Sequence, residues 1–360
     1  MSTNRTINFA NKLSLNQAAA LIIACGAGNT FFLVGEPGIG KTSLKRTIQR
    51  TLGDNYNYSY FDCANADLGD VAMPVVDHES KTTKYYPNAR FRITEGKPVF
   101  VMLDEFTKAP QPVQNMLHPL LEAHEGRLGD VPKPEGSIIV MTGNLTSDGV
   151  GDSLKGHTLN RITRIEVAKP TAEEWLLWAV EAGVHPVVLA WVKQFPHCLA
   201  SYTEGDQDEN PYIYNPKKFQ LSYVSPRSLE LASRIVAQRD KFDSDALIAA
   251  LAGTIGESAA RDMQAFIAYQ DELPTRERII QTPKDAPIPT SAGATAVLVF
   301  SMITAVDKDN IAPIMEYVSR LEPEWQAVFC ISLAKSKDKQ AVAMRSRAFS
   351  DWALKNQDLL

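Results

Sequence analysis

GEPGIGKT, residues Gly35 to Thr42, decides the reading of this chain. It fits G-x-x-x-x-G-K-[ST], the pattern of a phosphate-cradling loop. Before it runs Thr30-Phe-Phe-Leu-Val34, a short apolar stretch that reads as a buried strand. After it Leu44, Ile48 and Leu52 recur at helical spacing, and Gly53 stands where a helix would stop. Strand, glycine loop and helix start are the context the motif needs. The glycines let backbone N–H groups curl round phosphates, and the helix N-terminus adds the positive end of its dipole. Gly35, Glu36, Pro37, Gly38, Ile39, Gly40, Lys41, Thr42 and Ser43 are therefore the expected nucleotide cradle. Lys41 is placed to reach the β- and γ-phosphates and Thr42 to ligate Mg²⁺. The loop pattern serves ATP and GTP alike.

A second apolar run, Val99-Phe-Val-Met-Leu103, ends in Asp104-Glu105. A buried strand that ends in carboxylates puts them where α/β sheets bind ligands. Asp104 then serves the metal, and Glu105 orients and polarises the attacking water. A third strand, Ser137-Ile-Ile-Val-Met141, leads to Thr142-Gly143-Asn144. The Asn144 amide has two readings, a hydrogen bond to water or γ-phosphate and an ordinary turn. Arg161 and Arg164, in Leu159 to Val167, are either surface charge or groups that reach a neighbouring subunit's phosphate. In Ser225-Pro226-Arg227, Ser225 reads as an N-cap and Pro226 as the first helical residue. Arg227 then sits at the wrong end of a helix dipole, which a nearby phosphate would relieve.

Taken in order, GEPGIGKT, VMLDE, MTGN, LNR and SPR resemble the AAA+ ATPases, and within them the MoxR branch. Val113-Gln114 and Leu120-Leu121-Glu122 match that branch's pattern after the acidic strand, and Ala66 to Val71 resembles its pore-lining insert. The tail resembles the helical C-terminal regions of phage and prophage members. The resemblance implies ATP and Mg²⁺ as cofactors. It implies Lys41 and Thr42 as Walker A, Asp104 and Glu105 as Walker B, and Asn144 as sensor 1. It further implies Arg161 as a finger acting in trans and Arg227 as sensor 2. Where the family often reads Asp-Arg-Phe, this chain has Asn160-Arg161-Ile162, so Arg164 stays a second candidate. A homo-hexamer and a von Willebrand factor A-type protein partner are the family expectation, in the cytoplasm of a bacterial cell or phage-infected host.

Composition bounds the alternatives. The chain has 360 residues and a net charge of −5, which suits about two domains and gives no sequence-wide basic footprint for nucleic acid. Cys25, Cys63, Cys198 and Cys330 lie far apart without metal-ligand spacing, as reduced thiols do. His118, Glu122 and His124 read as helix-surface groups. Met1 to Asn8 is polar and does not read as a signal peptide. The apolar part of Ala286 to Val306 is shorter than the roughly 20 residues a membrane helix needs, so it reads as a buried helix.

The expected fold is α/β: a P-loop AAA+ core with a parallel sheet flanked by helices over 1–168, an all-α lid over 169–275, then a linker and helical C-terminal region over 276–360. Thr171 with Glu174 forms a capping box that opens the lid. Trp175, Trp178, Val187, Leu189, Trp191 and Phe195 read as its core stripes. Glu272 to Thr290 reads as the linker and the last 70 or so residues as two to four short helices. The expected activity is ATP hydrolysis coupled to remodelling a protein. The alternatives are a motor or loader directed at nucleic acid and a nucleotide-gated scaffold that barely turns over. The acidic residues Asp67 and Asp70 at the expected pore loop argue against a phosphate backbone.

Overall fold

The computed structural model of the chain describes residues 12–145, 154, 156–336 and 338–359. The polar segment Met1 to Asn8 lies outside the described residues. Two compact units divide between Lys169 and Pro170.

The first unit is built on five parallel strands: β1 (Thr30–Val34), β2 (Asn57–Asp62), β3 (Val99–Asp104), β4 (Ile138–Gly143) and β5 (Ile162–Glu166). Their order in the sheet is β2-β3-β4-β1-β5. Strands β1 and β4 are buried at every residue and β3 at all but Asp104, whereas the edge strand β5 is mostly open. This is the pattern a parallel sheet with covered faces requires. One covering helix, Leu15–Cys25, starts at a Ser14/Gln17 capping box and buries Ala18, Ala19 and Ile22 against Phe31 and Leu33. The helix Leu44–Leu52 buries Leu44 and Ile48 and ends at Gly53, whose φ of 59° suits glycine. All five strand ends that face the phosphate loop are C-terminal, because every strand runs the same way.

Two antiparallel hairpins leave this sheet: Ala72–Asp77 with Thr82–Pro87, and Arg127–Leu128 with Val131–Pro132. Tyr85 and Asp130 join them: the Tyr85 N–H donates to the Asp130 side-chain Oδ2 at 2.7 Å, and the Asp130 N–H donates to the Tyr85 carbonyl at 2.8 Å. The first hairpin follows the helix Leu68–Val71 in the segment expected to line a pore. Asp67 and Asp70 there are not free acids. They cap one another's backbone, and Asp70 pairs with Arg90 at 2.9 Å. Their charge is therefore partly spent, and the repulsion expected of them does not carry the argument against nucleic acid.

The second unit is helical. Thr171 and Glu174 make the expected capping box, and Ser225 caps a helix whose first residue is Pro226. The helix Ala172–Glu181 buries Ala172, Trp175, Leu176, Ala179 and Val180, an i, i+3, i+4, i+7, i+8 stripe. Trp178 lies off that stripe and is 42% exposed, so it is not the core residue expected of it. The Glu272 to Thr290 segment is not a plain linker: it forms the helix Arg276–Gln281, and Ile279 is buried. One apolar core runs from Ala172 to Phe349, with no break at residue 275. The apolar stretch becomes the helix Ala292–Ala305, buried from Thr295 to Phe300. No helix among the described residues is long and apolar enough to cross a membrane. Among the described residues beyond 290 there are five α-helices, one of them a single turn, where two to four were expected.

His185 ties this unit to pH. It caps the helix Pro186–Gln194 by accepting from the Val187 N–H, which needs an unprotonated Nδ1. Burial, and then the nearby Arg239 charge, lower its pKa from 6.5 to about 4. The unfolded chain therefore takes up this proton near pH 6.5, and the folded unit only near pH 4. Stability from this group is full above pH 6.5 and is lost as pH falls toward 4. His185→Asn keeps a capping oxygen without that titration. Urea unfolding of the wild type and of His185→Asn at pH 7.5 and 5.0 is expected to show a larger acid loss in the wild type, by about 1–2 kcal/mol.

Candidate active site

The loop Gly35–Thr42 leaves the C-terminal end of β1 and enters the turn Lys41–Ser43 and the helix after it. Gly40 has φ 102° and Gly38 φ 76°, which a side chain would strain. Gly35 has another reason to be glycine. A Cβ there would lie 2.7 Å from Ile39 Cδ1 and 2.8 Å from the Val167 carbonyl oxygen. The loop is also pinned electrostatically. Glu36 and Lys169 form an ion pair at 3.8 Å, with side chains only 6% and 3% exposed. A buried pair of this kind is costly to break from one side. Lys169 marks a boundary in the sequence and gives no sign there of this contact.

Lys41 Nζ donates to the Gly35 carbonyl at 2.6 Å, the Glu36 carbonyl at 2.9 Å and Asn144 Oδ1 at 3.2 Å. The ammonium and the amide that follows β4 therefore meet at the loop. Of the two readings of Asn144, the structure places it beside the phosphate-loop cation, directly after β4.

Asp104 is the hub. The Thr42 hydroxyl lies 3.3 and 3.2 Å from its two oxygens. Tyr60 donates to Asp104 Oδ2 at 2.7 Å, and the Thr142 hydroxyl donates to Oδ1. Burial and this bond to a carboxylate raise the pKa of Tyr60. Thr42 and Asp104 supply hard oxygen donors side by side, the donor type Mg²⁺ takes. Those residues fit that ion.

Glu105 follows at φ 52°, a left-handed backbone that costs a non-glycine residue about 1 kcal/mol. Its N–H donates to the Thr142 hydroxyl at 3.0 Å, so one threonine holds the Asp104 carboxylate and the Glu105 backbone. Its side chain pairs with Lys108 at 2.7 Å.

Arg161 and Arg164 lie elsewhere in the first unit. Arg161 immediately precedes β5, whose first residue, Ile162, pairs with Thr30 at the start of β1. The phosphate loop begins past the other end of β1, about 16 Å of strand away. Arg161 Nε meets Glu122 Oε1 at 2.6 Å, and its Nη1 meets His118 ring nitrogens at 2.7 and 2.9 Å. His118 and Glu122 are thus not idle surface groups. Arg164 sits mid-strand opposite Phe32 and lies 3.9 Å from Glu166. Arg227 belongs to the second unit, as the second residue of the helix Pro226–Val236, and is exposed. No group of three or more His, Cys, Asp or Glu among the described residues is arranged to hold a metal.

Sequence reasoning missed Tyr60, Thr142, Lys108, His118 and Glu122. Only Glu122 carried a signal, the Leu120-Leu121-Glu122 pattern.

Residues 30–145 match the AAA domain family of the dynein-related subfamily. The first unit is a P-loop AAA+ domain. The matched stretch runs from the start of β1 to just past Asn144, so it takes in the whole Asp104 hub. No curated protein matches the chain in sequence. Among solved structures the chain is similar to a candidate ATPase from Cytophaga hutchinsonii, at 14% identity and a TM-score of 0.35 over 87% of this chain and 79% of that one.

Gly35→Ala tests the close approach at the loop. The added methyl must displace Ile39 or the Val167 backbone, at an expected cost of about 1–3 kcal/mol. A lowered midpoint in thermal unfolding, together with weakened binding of a fluorescent nucleotide, is the expected outcome.

Proposed function

We propose that this chain is an Mg²⁺-dependent ATPase of the MoxR type that assembles as a ring, a hexamer by family resemblance, and remodels a partner protein. The observation that carries this reading is the convergence of Lys41, Thr42, Asp104, Glu105 and Asn144 from three strand ends onto one end of the sheet. In this reading Lys41 meets the β- and γ-phosphates in place of its present carbonyl partners, and Thr42 and Asp104 hold the metal. Mg²⁺ when bound adds positive charge to the phosphates. Glu105 draws the proton from the attacking water, and Asn144 orients that water.

Arg161 acts in trans. Its place at the opposite end of β5 keeps it from its own loop and favours a neighbour's phosphate. Arg164, mid-strand and beside Glu166, is the weaker candidate. By family resemblance Arg227 is the sensor 2 arginine and the helical unit is the lid, and the helices past 275 share that unit's core.

The hairpin Ala72–Pro87 supports a protein as the substrate. Met73, Val75, Val76, Tyr85 and Tyr86 are all exposed on it. Exposed apolar patches mark interaction surfaces, and a protein's apolar side chains are the contact this reading assigns to them. A von Willebrand factor A-type partner is the family expectation.

Three measurements check this reading. Lys41→Ala is expected to lose nucleotide affinity, whereas Glu105→Gln keeps it and loses roughly 10²-fold or more in turnover. Wild-type turnover by Glu105→Gln would sink the assignment. Arg161→Ala is expected to bind ATP and lose about 10³-fold in rate. Mixing it with Glu105→Gln restores part of the activity, because one type of interface then carries both intact groups. A wild-type rate in Arg161→Ala beside an inactive Arg164→Ala would move the finger. ATPase titrations with DNA and RNA at two salt concentrations are expected to show no stimulation. A several-fold rise that fades with salt would instead mark a motor acting on nucleic acid.

A further inference from the structure

The turn after β3 places an ammonium on the proposed general base. Glu105 is followed by the short 3-10 helix Phe106–Lys108, and the Lys108 N–H closes it on the Glu105 carbonyl at 2.9 Å. In such a helix, residues three apart stand one above the other. Lys108 Nζ accordingly lies 2.7 Å from Glu105 Oε2. The residues between them leave the turn no freedom: Phe106 is fully buried and Thr107 nearly so. Below the turn, Ala109 is buried and Gln114 donates to its carbonyl at 2.9 Å. The Glu105 backbone is held on its other side by Thr142.

We infer that Lys108 is a positioning residue for hydrolysis: it holds the Glu105 carboxylate by Oε2 and leaves Oε1 to take the proton of the attacking water. The inference rests on the reading of Glu105 as the base. Stability does not explain the contact. The two side chains are 30% and 38% exposed, and a pair that open contributes at most about 1 kcal/mol. Its effect is geometric. A free glutamate side chain samples several rotamers, and a base works only within hydrogen-bond reach of its proton. A partner anchored in a buried turn selects one orientation without touching the substrate.

Steady-state kinetics on the full chain test this with Lys108→Met, Lys108→Arg and Glu105→Gln, alone and combined. Lys108→Met is expected to lower kcat about 10- to 100-fold, the range for groups that orient a reacting ligand, while KM for ATP stays within about twofold. Lys108→Arg is expected to recover most of the lost rate. Adding Lys108→Met to Glu105→Gln is expected to cost nothing further, since groups that act as a unit are not additive. Nucleotide binding and thermal unfolding show that each variant is folded. A wild-type kcat in Lys108→Met beside an inactive Glu105→Gln would overturn this inference and leave the base assignment standing. A kcat above wild type would also overturn it, making the contact a brake. An active Glu105→Gln would remove the base assignment, and this inference with it.

Discussion

One carboxylate organises the first unit. Asp104 accepts from the hydroxyls of Thr42, Tyr60 and Thr142, which come from the phosphate loop, from β2 and from β4. Three segments far apart in sequence are tied to the end of one strand. The tie works because the register is parallel: Asp62 lies opposite Asp104, and Leu103 opposite Met141. A slip of one residue would turn Asp104 to the other face of the sheet and lose all three partners. Charge-assisted bonds of this kind are stronger than neutral ones, so the hub both fixes the register and holds oxygen ligands together.

The same parallel arrangement separates two chemistries along the sheet. The C-terminal strand ends gather the loop, the acids and the amide. The N-terminal end of β5 carries Arg161, held by Glu122 and His118. The first unit therefore has a cradle at one end of its sheet and a cation at the other. Glu105 adopts a left-handed backbone beside the loop, and Gly38 and Gly40 take positive φ within it, where glycine alone is unstrained. The buried Glu36–Lys169 pair anchors that loop to the last residue of the unit.

Much of this was legible beforehand, because some signals are local. Thr30–Val34 is a short, largely apolar run before a glycine loop, and a buried strand follows from that alone. The caps at Thr171 and Ser225 need only residues three apart, and both formed as read. Other features had no local signal. Trp178 looks like core by composition, but its angle round the helix puts it outside the buried stripe. The Glu272 to Thr290 segment looks like a linker by its prolines and charges, yet Ile279 finds the common core and a short helix forms round it. The acids Asp67 and Asp70 look like free charge, but each caps the other's backbone.

By itself the sequence determined the strand–loop–helix of the phosphate site, the acidic end of β3, the division near Lys169 and the helical character of the second unit. Each of these rests on periodicity, glycine conformation or capping, which act within a few residues. Only the tertiary structure decided the strand order and the partners that this order creates. Tyr60 and Thr142 meet Asp104 because β2 and β4 flank β3. Glu122 and His118 meet Arg161 because their turn lies by the start of β1, where Thr30 donates to the Leu121 carbonyl at 2.8 Å. Such contacts join residues tens of positions apart. Their spacing in sequence carries no trace of them, because sheet pairing sets the distance and chain order does not.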